Sequence, residues 1–497
     1  MPRQIANHCR LRSLRRKAPA GARAYRAHVQ LRVHRALCRT TPGRLDVSTP
    51  RASRRTVFDM LQTLRKRTEF LSVLRHRDYR IYYVGLLASV TAHQGMIAAK
   101  GWLVYDLTGE VLALGIIGVA QAVPGIIFNL IAGALADRFD PRRMIVLGEG
   151  AAALLMALLS ALVFTDIIAV WHIIVVAFLI GTATSFDQPA RRVVWPVLIP
   201  RSEFVAATAM NQGVWNGTRI IGPAIALGII AVSGSIAGDT RIGAGISFLF
   251  LAAGFGAMAV AMKFVNLPDI KRATGVTVFH DIVDGLTFVA THRIFLILMG
   301  LSFSVGYFGL SYQQLLPAFA KDTLGVGVTG LGTLYVASGI GGITGIVLAA
   351  SFGKTMDRTK LISFGASLLG VAILGVSISG VLGWALVAGA FSAVAGALYS
   401  IFQIGANTLL NLLVPTEYRG RVMGLRGIMW SLSPLGALQA GFIASVTSTP
   451  IAIGTGGAAV MVITVAVFVF SKQLRHAEQM VAAIEAEQDA IEQGSTA

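Results

Sequence analysis

The chain has 497 residues, 55% of them hydrophobic and 13% charged, which is too apolar for a soluble protein of this length. Its formal net charge of +19 would suit a nucleic-acid partner if it were spread along the chain, but residues 1–80 hold 21 of the 43 Lys and Arg and only 4 of the 24 Asp and Glu. That distribution excludes nucleic-acid binding by the body of the protein and predicts a chain whose main solvent is lipid.

Residues 1–70 are read as a basic, disordered arm: they hold both cysteines, Cys9 and Cys38, in no metal or redox spacing, and contain no secretory apolar core. A hydrocarbon layer of about 30 Å needs about 20 apolar residues per helix. That ruler predicts twelve membrane helices, at 83–105, 111–136, 143–164, 168–187, 204–233, 243–265, 295–318, 328–353, 361–380, 383–411, 424–446 and 451–471. Positive residues fall in alternate loops: Arg138, Arg142 and Arg143; Arg191, Arg192 and Arg201; Lys271 and Arg272; Lys354, Arg358 and Lys360; Arg419, Arg421 and Arg426. Those loops are expected to be cytoplasmic by the positive-inside rule, and an even helix count then puts both termini there.

The longest polar interval, residues 266–293, divides the helices into bundles at 71–265 and 294–471 and carries a helical run from Phe279 to Val289, read as a linker helix. The tail, 472–497, reads as a solvated cytoplasmic helix. Two landmarks recur between the halves. Gly133-Ala-Leu-Ala-Asp-Arg-Phe-Asp-Pro-Arg-Arg143 is echoed by Gly353-Lys-Thr-Met-Asp-Arg358, and Leu198-Ile-Pro200-Arg-Ser-Glu203 by Leu413-Val-Pro415-Thr-Glu417. The fold class predicted is an all-α membrane protein, twelve helices in two pseudo-symmetric bundles of six, and duplicated halves point to a transporter.

Several polar residues stand out within the apolar runs. Glu149 lies six residues past Arg143, about 9 Å deep at 1.5 Å per residue; a buried acid there carries a proton, pairs with a base such as Arg219, or faces outward. His93, beside Gln94 near the middle of helix one, titrates near neutrality or packs through a hydrogen bond. Lys100 is expected to snorkel outward. Gln212, Asn216 and Arg219 form a polar stripe at helical spacing, and Tyr399, Gln403, Asn407 and Asn411 an i, i+4 series; with Tyr312, Gln313 and Gln314 they suit a cavity or interhelical hydrogen bonds. Gly339, Gly341, Gly342 and Gly345 suit close helix packing. No phosphate-cradling loop, nucleophile constellation or metal spacing occurs, so neither ATP-driven pumping nor catalysis is indicated, and no cofactor or metal is expected.

The loop Gly133–Arg143 with its degenerate copy resembles the major facilitator superfamily. Phe186-Asp-Gln-Pro-Ala-Arg191, Leu198-Ile-Pro200, Asn211, Arg219-Ile-Ile-Gly-Pro223, Asn407-Thr-Leu-Leu and Arg419-Gly-Arg-Val-Met-Gly424 are similar to the bacterial drug–proton antiporter subgroup that includes macrolide efflux proteins and the enterobactin exporter. The resemblance covers residues from about 70 to 471. It implies an inner gate at Gly133, Asp137, Arg138, Arg142, Asp357 and Arg358, and proton coupling at Glu149 or His93. It also implies a transport path past Gln94, Gln212, Asn216, Arg219, Gly222, Pro223, Gln313, Gln403 and Asn407. Asp140 and Pro141 replace the glycine and base usual in that loop. The helix-four arginine of many proton-driven members would fall near Ala177, where this chain is apolar.

The function expected is export of a small amphipathic molecule, of drug or siderophore class, by proton antiport and alternating access. The protein is expected to be a monomer in the bacterial cytoplasmic membrane, with substrate, protons and lipid as partners. The alternatives are an uptake carrier or lipid flippase of the same fold, or a non-transporting membrane scaffold.

Overall fold

The structure, a computed structural model, describes residues 72–479 apart from 137–138, 269–277, 353–356 and 416–417, together with residue 481. The first half runs α1 (Arg77–Thr108), α2 (Val111–Ala136), α3 (Pro141–Phe164), α4 (Val170–Val197), α5 (Phe204–Ala237) and α6 (Thr240–Phe264). After the linker helix α7 (Val278–Thr291), the second half runs α8 (Arg293–Thr323), α9 (Gly327–Phe352), α10 (Arg358–Val381) and α11 (Ala385–Leu413). It ends with the broken pair α12 (Arg419–Ser431) and α13 (Ser433–Val446), then α14 (Thr449–Phe470).

Ten of the described helices are long and apolar enough to cross a membrane. The first and eleventh spans complete the twelve. At 32 residues α1 is about 48 Å long, but Arg77, Asp78 and Arg80 at its start and His93, Gln94 and Lys100 within it dilute its hydropathy. The eleventh span breaks at Leu432, where Ser433-Pro434 starts a new helix; proline cannot supply the amide its predecessor's turn requires. The seventh span contains two π-helical turns, Val305–Gly309 and Phe319–Thr323, and so extends beyond the predicted 318.

The two halves pack alike. In the first, α2 and α3 pack on α4, and α6 packs on α1 and α3; in the second, α9 and α10 pack on α11, and α14 packs on α8 and α10. The halves meet where α5 crosses α9 and α2 crosses α13. The α9–α11 crossing depends on glycine: a Cβ on Gly341 would lie 1.8 Å from the Ala393 carbonyl oxygen, and one on Gly345 2.2 Å from that of Ala397. Backbones therefore touch, as small residues permit between membrane helices. Outward faces are apolar: Leu147 and Leu154 of α3 are exposed while Glu149, Ala152 and Met156 are buried, the reverse of a helix facing water.

Two polar segments dock instead of standing free. Phe288 of α7 stacks on Tyr418 at 4.3 Å between ring centroids, and Asp284 pairs with Arg421 at 3.3 Å, so the linker helix lies on α12. The tail does not begin as the solvated helix expected. Leu474, Ala477 and Val481 are buried in the core, and Glu478 holds Arg358 at 2.9 Å.

Candidate functional site

The densest buried charge lies within the first half. Arg191 of α4 donates from Nε to Asp187 Oδ2 at 2.5 Å, one turn away, and from Nη2 to Ser89 Oγ of α1 at 2.8 Å and to Glu149 Oε1 of α3. All four residues are buried. Tyr82, Leu86 and Val90 of α1, Ile145 of α3 and Ala190 and Val194 of α4, neighbours of these groups along their helices, form one buried apolar cluster. Glu149 Oε2, Asp187 Oδ1 and Arg191 Nη1 have no hydrogen-bond partner among the described residues. Two carboxylates face one guanidinium, so with both acids ionised the cluster carries one uncompensated negative charge inside the membrane, a costly arrangement that makes it the candidate site.

This site corrects three sequence expectations. Arg191 is not a loop residue, because α4 continues ten residues past the predicted end at 187. Its partner acids neutralise it, so its charge does not end the apolar span. The partner of Glu149 is Arg191 rather than Arg219, and Asp187 shares the site. The helix-four position near Ala177 is indeed apolar, but a helix-four arginine exists deeper along the chain. The Phe186–Arg191 motif, with acid and base at i, i+4, was the signal for it.

A second polar set lines the space between the halves. Arg219 of α5 lies over the Tyr399 ring of α11, 5.4 Å from its centroid. Gln403, one turn along α11, accepts from Arg426 Nη2 at 2.7 Å. Arg426 is 5% exposed within α12, with no partner for its Nη1 among the described residues, and so is not the loop charge predicted. Tyr399, Gln403 and Arg426 border one cavity with Ser302, Gly306 and Met429. Lys100 is wholly buried and donates to Gln121 of α2 at 2.8 Å, beside Gln314 of α8. The expected outward snorkelling is thus overturned: its face of α1 is covered by α2 and α8, and the amide oxygen takes the place of water.

The remaining candidates separate. Gln94 packs against Gly222, where a Cβ would meet it at 2.7 Å, and Gly222 and Pro223 are buried at this α1–α5 crossing. His93 and Gln313 are half-buried. Asn216 donates to the Gln212 carbonyl of its own helix at 2.9 Å, Gln212 is exposed, and Asn407 is exposed and accepts from Asn411 through its carbonyl. Asp137 and Arg138 lie outside the described residues; Gly133 falls within α2. Arg142 ties α3 to the Val265 carbonyl at the end of α6. Asp140 caps α3 by accepting from the Arg142 amide at 2.9 Å, with Pro141 at the first helical position, which explains that substitution in the loop. Asp357 caps α10 likewise, accepting from the Thr359 amide at 3.1 Å.

At the opposite end of the helices, charges of the intervening loops join the halves. Tyr105 of α1 donates to Asp322 of α8, and Lys321 of α8 pairs with Asp106 of α1 at 2.6 Å.

The chain is 28% identical over 375 residues to the multidrug efflux pump Tap of Mycolicibacterium fortuitum, covering 72% of this chain and 88% of that protein. It is 22% identical to macrolide efflux protein A of Streptococcus pyogenes, over 68% and 82% of the two chains. With the staphyloferrin A transporter of Staphylococcus aureus it shares 24% identity, over 75% and 91%. The nucleoside transporter NupG has the same fold, with a TM-score of 0.62 at 11% identity over 82% of this chain and 99% of that one. Residues 82–438 match the Major Facilitator Superfamily profile, and this chain, a multi-pass membrane transporter and not an enzyme, belongs to that superfamily.

Proposed function

We propose that the protein exports a small amphipathic molecule, of the drug or siderophore class its relatives are named for, in exchange for protons. The observation that carries the proton step is the Arg191 cluster. Two acids against one base are neutral after binding one proton and charged after losing it, so a proton can be exchanged without stranding a base. Glu149 and Asp187 both have a carboxylate oxygen free to receive it. His93 is the weaker candidate, since no acid faces it among the described residues.

Alternating access requires the halves to part at one end as they close at the other. The end where α1 begins carries Arg142, Arg143, Arg358, Lys360 and Arg421, and is cytoplasmic on this reading; both termini follow. The far end is then the periplasmic one, held by Tyr105–Asp322 and Asp106–Lys321. Release of substrate outward breaks these contacts. Gly133, Asp137, Arg138, Arg142, Asp357 and Arg358 are assigned to the inner gate, where Asp357 caps the start of α10 and Arg358 holds it to Glu478 of the tail.

The test is transport by everted membrane vesicles acidified inside, with a panel of neutral, cationic and anionic amphiphiles. Accumulation that collapses when the pH gradient is dissipated supports proton-driven export. Accumulation only by right-side-out vesicles would establish uptake instead, and gradient-independent lipid movement would establish a flippase. Failure of all three leaves the scaffold reading.

A further inference from the structure

Away from the Asp106–Lys321 and Tyr105–Asp322 contacts at the far end, the described charges in the space between the halves are positive. Lys100, Arg219 and Arg426 reach it from α1, α5 and α12, and none has a carboxylate within ion-pair distance among the described residues. The residues bordering the Arg426 cavity and the Lys100 cavity include no acid. Arg191, by contrast, faces two acids, and Lys321 faces Asp106. An unanswered guanidinium at 5% exposure is a costly feature, because burying a charge without a counter-charge is strongly unfavourable.

We propose that Arg219 and Arg426 form a binding site for the anionic group, a carboxylate above all, of the transported amphiphile. The inference rests on the transporter reading and names the substrate class within it. Arg426 borders the cavity, holds Gln403 with Nη2, and has a buried Nη1 with no hydrogen-bond partner among the described residues. Arg219 approaches the same wall from the other half, across Tyr399. The cavity there is about 10 Å³, room for one water, so a carboxylate enters it only as the halves part. A planar carboxylate can accept from both guanidiniums, a geometry that arginine favours over lysine. The phenol ring of Tyr399 supplies a flat face beside the charge. Since α5 and α12 belong to different halves, the bound anion would bridge them, and the rocking motion that parts the halves would divide the site and release it.

Depth along the path is consistent with this use. The α1–α5 crossing sets residues 94 and 95 level with Gly222. Arg219 then lies three residues to one side and Lys100 five residues to the other, roughly 12 Å apart at 1.5 Å per residue. An anion leaving the arginine pair toward the far end meets Lys100 next, with Gln121 and Gln314 as neutral partners.

The experiment uses full-length protein in phosphatidylcholine nanodiscs and three fluorescent probes with one apolar body: pyrenebutyrate, pyrenebutanol and pyrenebutylamine. The expected result is that the carboxylate binds at least about tenfold more tightly than the alcohol, equivalent to about 1.4 kcal/mol, and the amine most weakly. Arg219→Gln and Arg426→Gln should each remove that preference, the carboxylate losing at least about tenfold more affinity than the alcohol, and Arg426→Lys should keep part of it. Equal affinity for the three probes in the unaltered protein would overturn the proposal, with no variant needed. So would a preference for the amine, or a carboxylate preference surviving both glutamine substitutions. Displacement of pyrenebutyrate by added phosphatidylglycerol would show that the site holds a lipid headgroup, and also overturn it. Vesicles that move neutral amphiphiles while the probes show no charge preference would sink the anion site and spare the transporter; absent transport with an intact preference would do the opposite.

Discussion

Arg191→Gln tests whether the buried cluster is organised by charge balance. With an effective dielectric constant of about 20, opposite charges about 4 Å apart attract by about 4 kcal/mol, and Arg191 faces two carboxylates, at 2.5 Å for Asp187 and in direct contact with Glu149. Against this stand desolvation of three ions and the repulsion of the acids, so the expected loss on breaking the site is about 3–5 kcal/mol. Removing the base leaves both acids unanswered among apolar neighbours, and each must take up a proton for the protein to remain folded. The destabilisation should therefore be greater at pH 8 than at pH 5. Glu149→Gln alone leaves one acid and one base, a neutral pair, and should cost little stability. Combining Glu149→Gln with Asp187→Asn on the Arg191→Gln background should recover most of the loss. The assay is thermal unfolding of purified protein in one detergent at both pH values, with monodispersity checked by gel filtration. If Arg191→Gln is no less stable than Glu149→Gln, or if the triple variant is worse than the single one, charge balance does not organise the site. In vesicles the same series separates coupling from folding. Glu149→Gln should abolish substrate-induced proton flux while downhill substrate movement continues; unchanged proton flux would exclude Glu149 as the coupling acid.

Other expectations follow from single contacts. Lys100→Met replaces a buried cation with an apolar side chain of similar length and should leave thermal stability equal or higher, whereas Lys100→Ala should lower it by opening a cavity. Gly341→Leu drives a side chain into the Ala393 carbonyl and should abolish recovery of folded protein, seen as loss of the monodisperse gel-filtration peak. Asp106→Asn removes an ion pair whose lysine is 37% exposed, a contribution of up to about 1 kcal/mol. It should shift the far-end closed population by up to roughly fivefold, read as faster thiol labelling of a cysteine placed at Gly109. Leu474→Ala empties a wholly buried site in the docked tail and should cost about 2–5 kcal/mol, measured by thermal unfolding; an unchanged midpoint would mean that the tail is not part of the core.

Hydropathy located the helices well where a span is purely apolar. The second span, expected at 111–136, is α2 at Val111–Ala136, and the third differs only at its start, where Asp140 and Pro141 cap and begin the helix. It failed where charge enters a span. Asp187 and Arg191 look like a loop when each charge is weighed alone, and like an i, i+4 pair when they are taken together. Glu149 could be recognised as anomalous from its position in an apolar run, but its partner lies 42 residues away, and only the crossing of α3 with α4 selects Arg191 over Arg219. The break before α13 was written locally in Ser433-Pro434 and masked by the apolar residues on both sides.

The arginines carry the same lesson into function. The positive-inside rule weighs arginines near helix ends as topology signals, and by that count Arg191 and Arg426 sit comfortably among the loop charges. Their side chains are instead buried, one against two acids and the other against a glutamine. The difference separates two tasks. A guanidinium with a surplus of acid suits exchange of a proton, because protonation restores neutrality without moving the base. A guanidinium with no acid suits capture of an anion from outside the protein, because the ligand supplies the missing charge. One half of this transporter holds the first arrangement and the seam between the halves holds the second, so proton and cargo need not compete for one residue. Their coupling would pass through α5 and α1, which meet at Gly95 and Gly222 between Ser89 of the proton cluster and Arg219 of the anion site. Gly222→Ala, which sets a Cβ 2.7 Å from the Thr91 carbonyl and the Gln94 side chain, should therefore weaken the dependence of cargo movement on the pH gradient more than it weakens pyrenebutyrate binding. Equal loss of both in vesicles and nanodiscs would refute a route through that crossing.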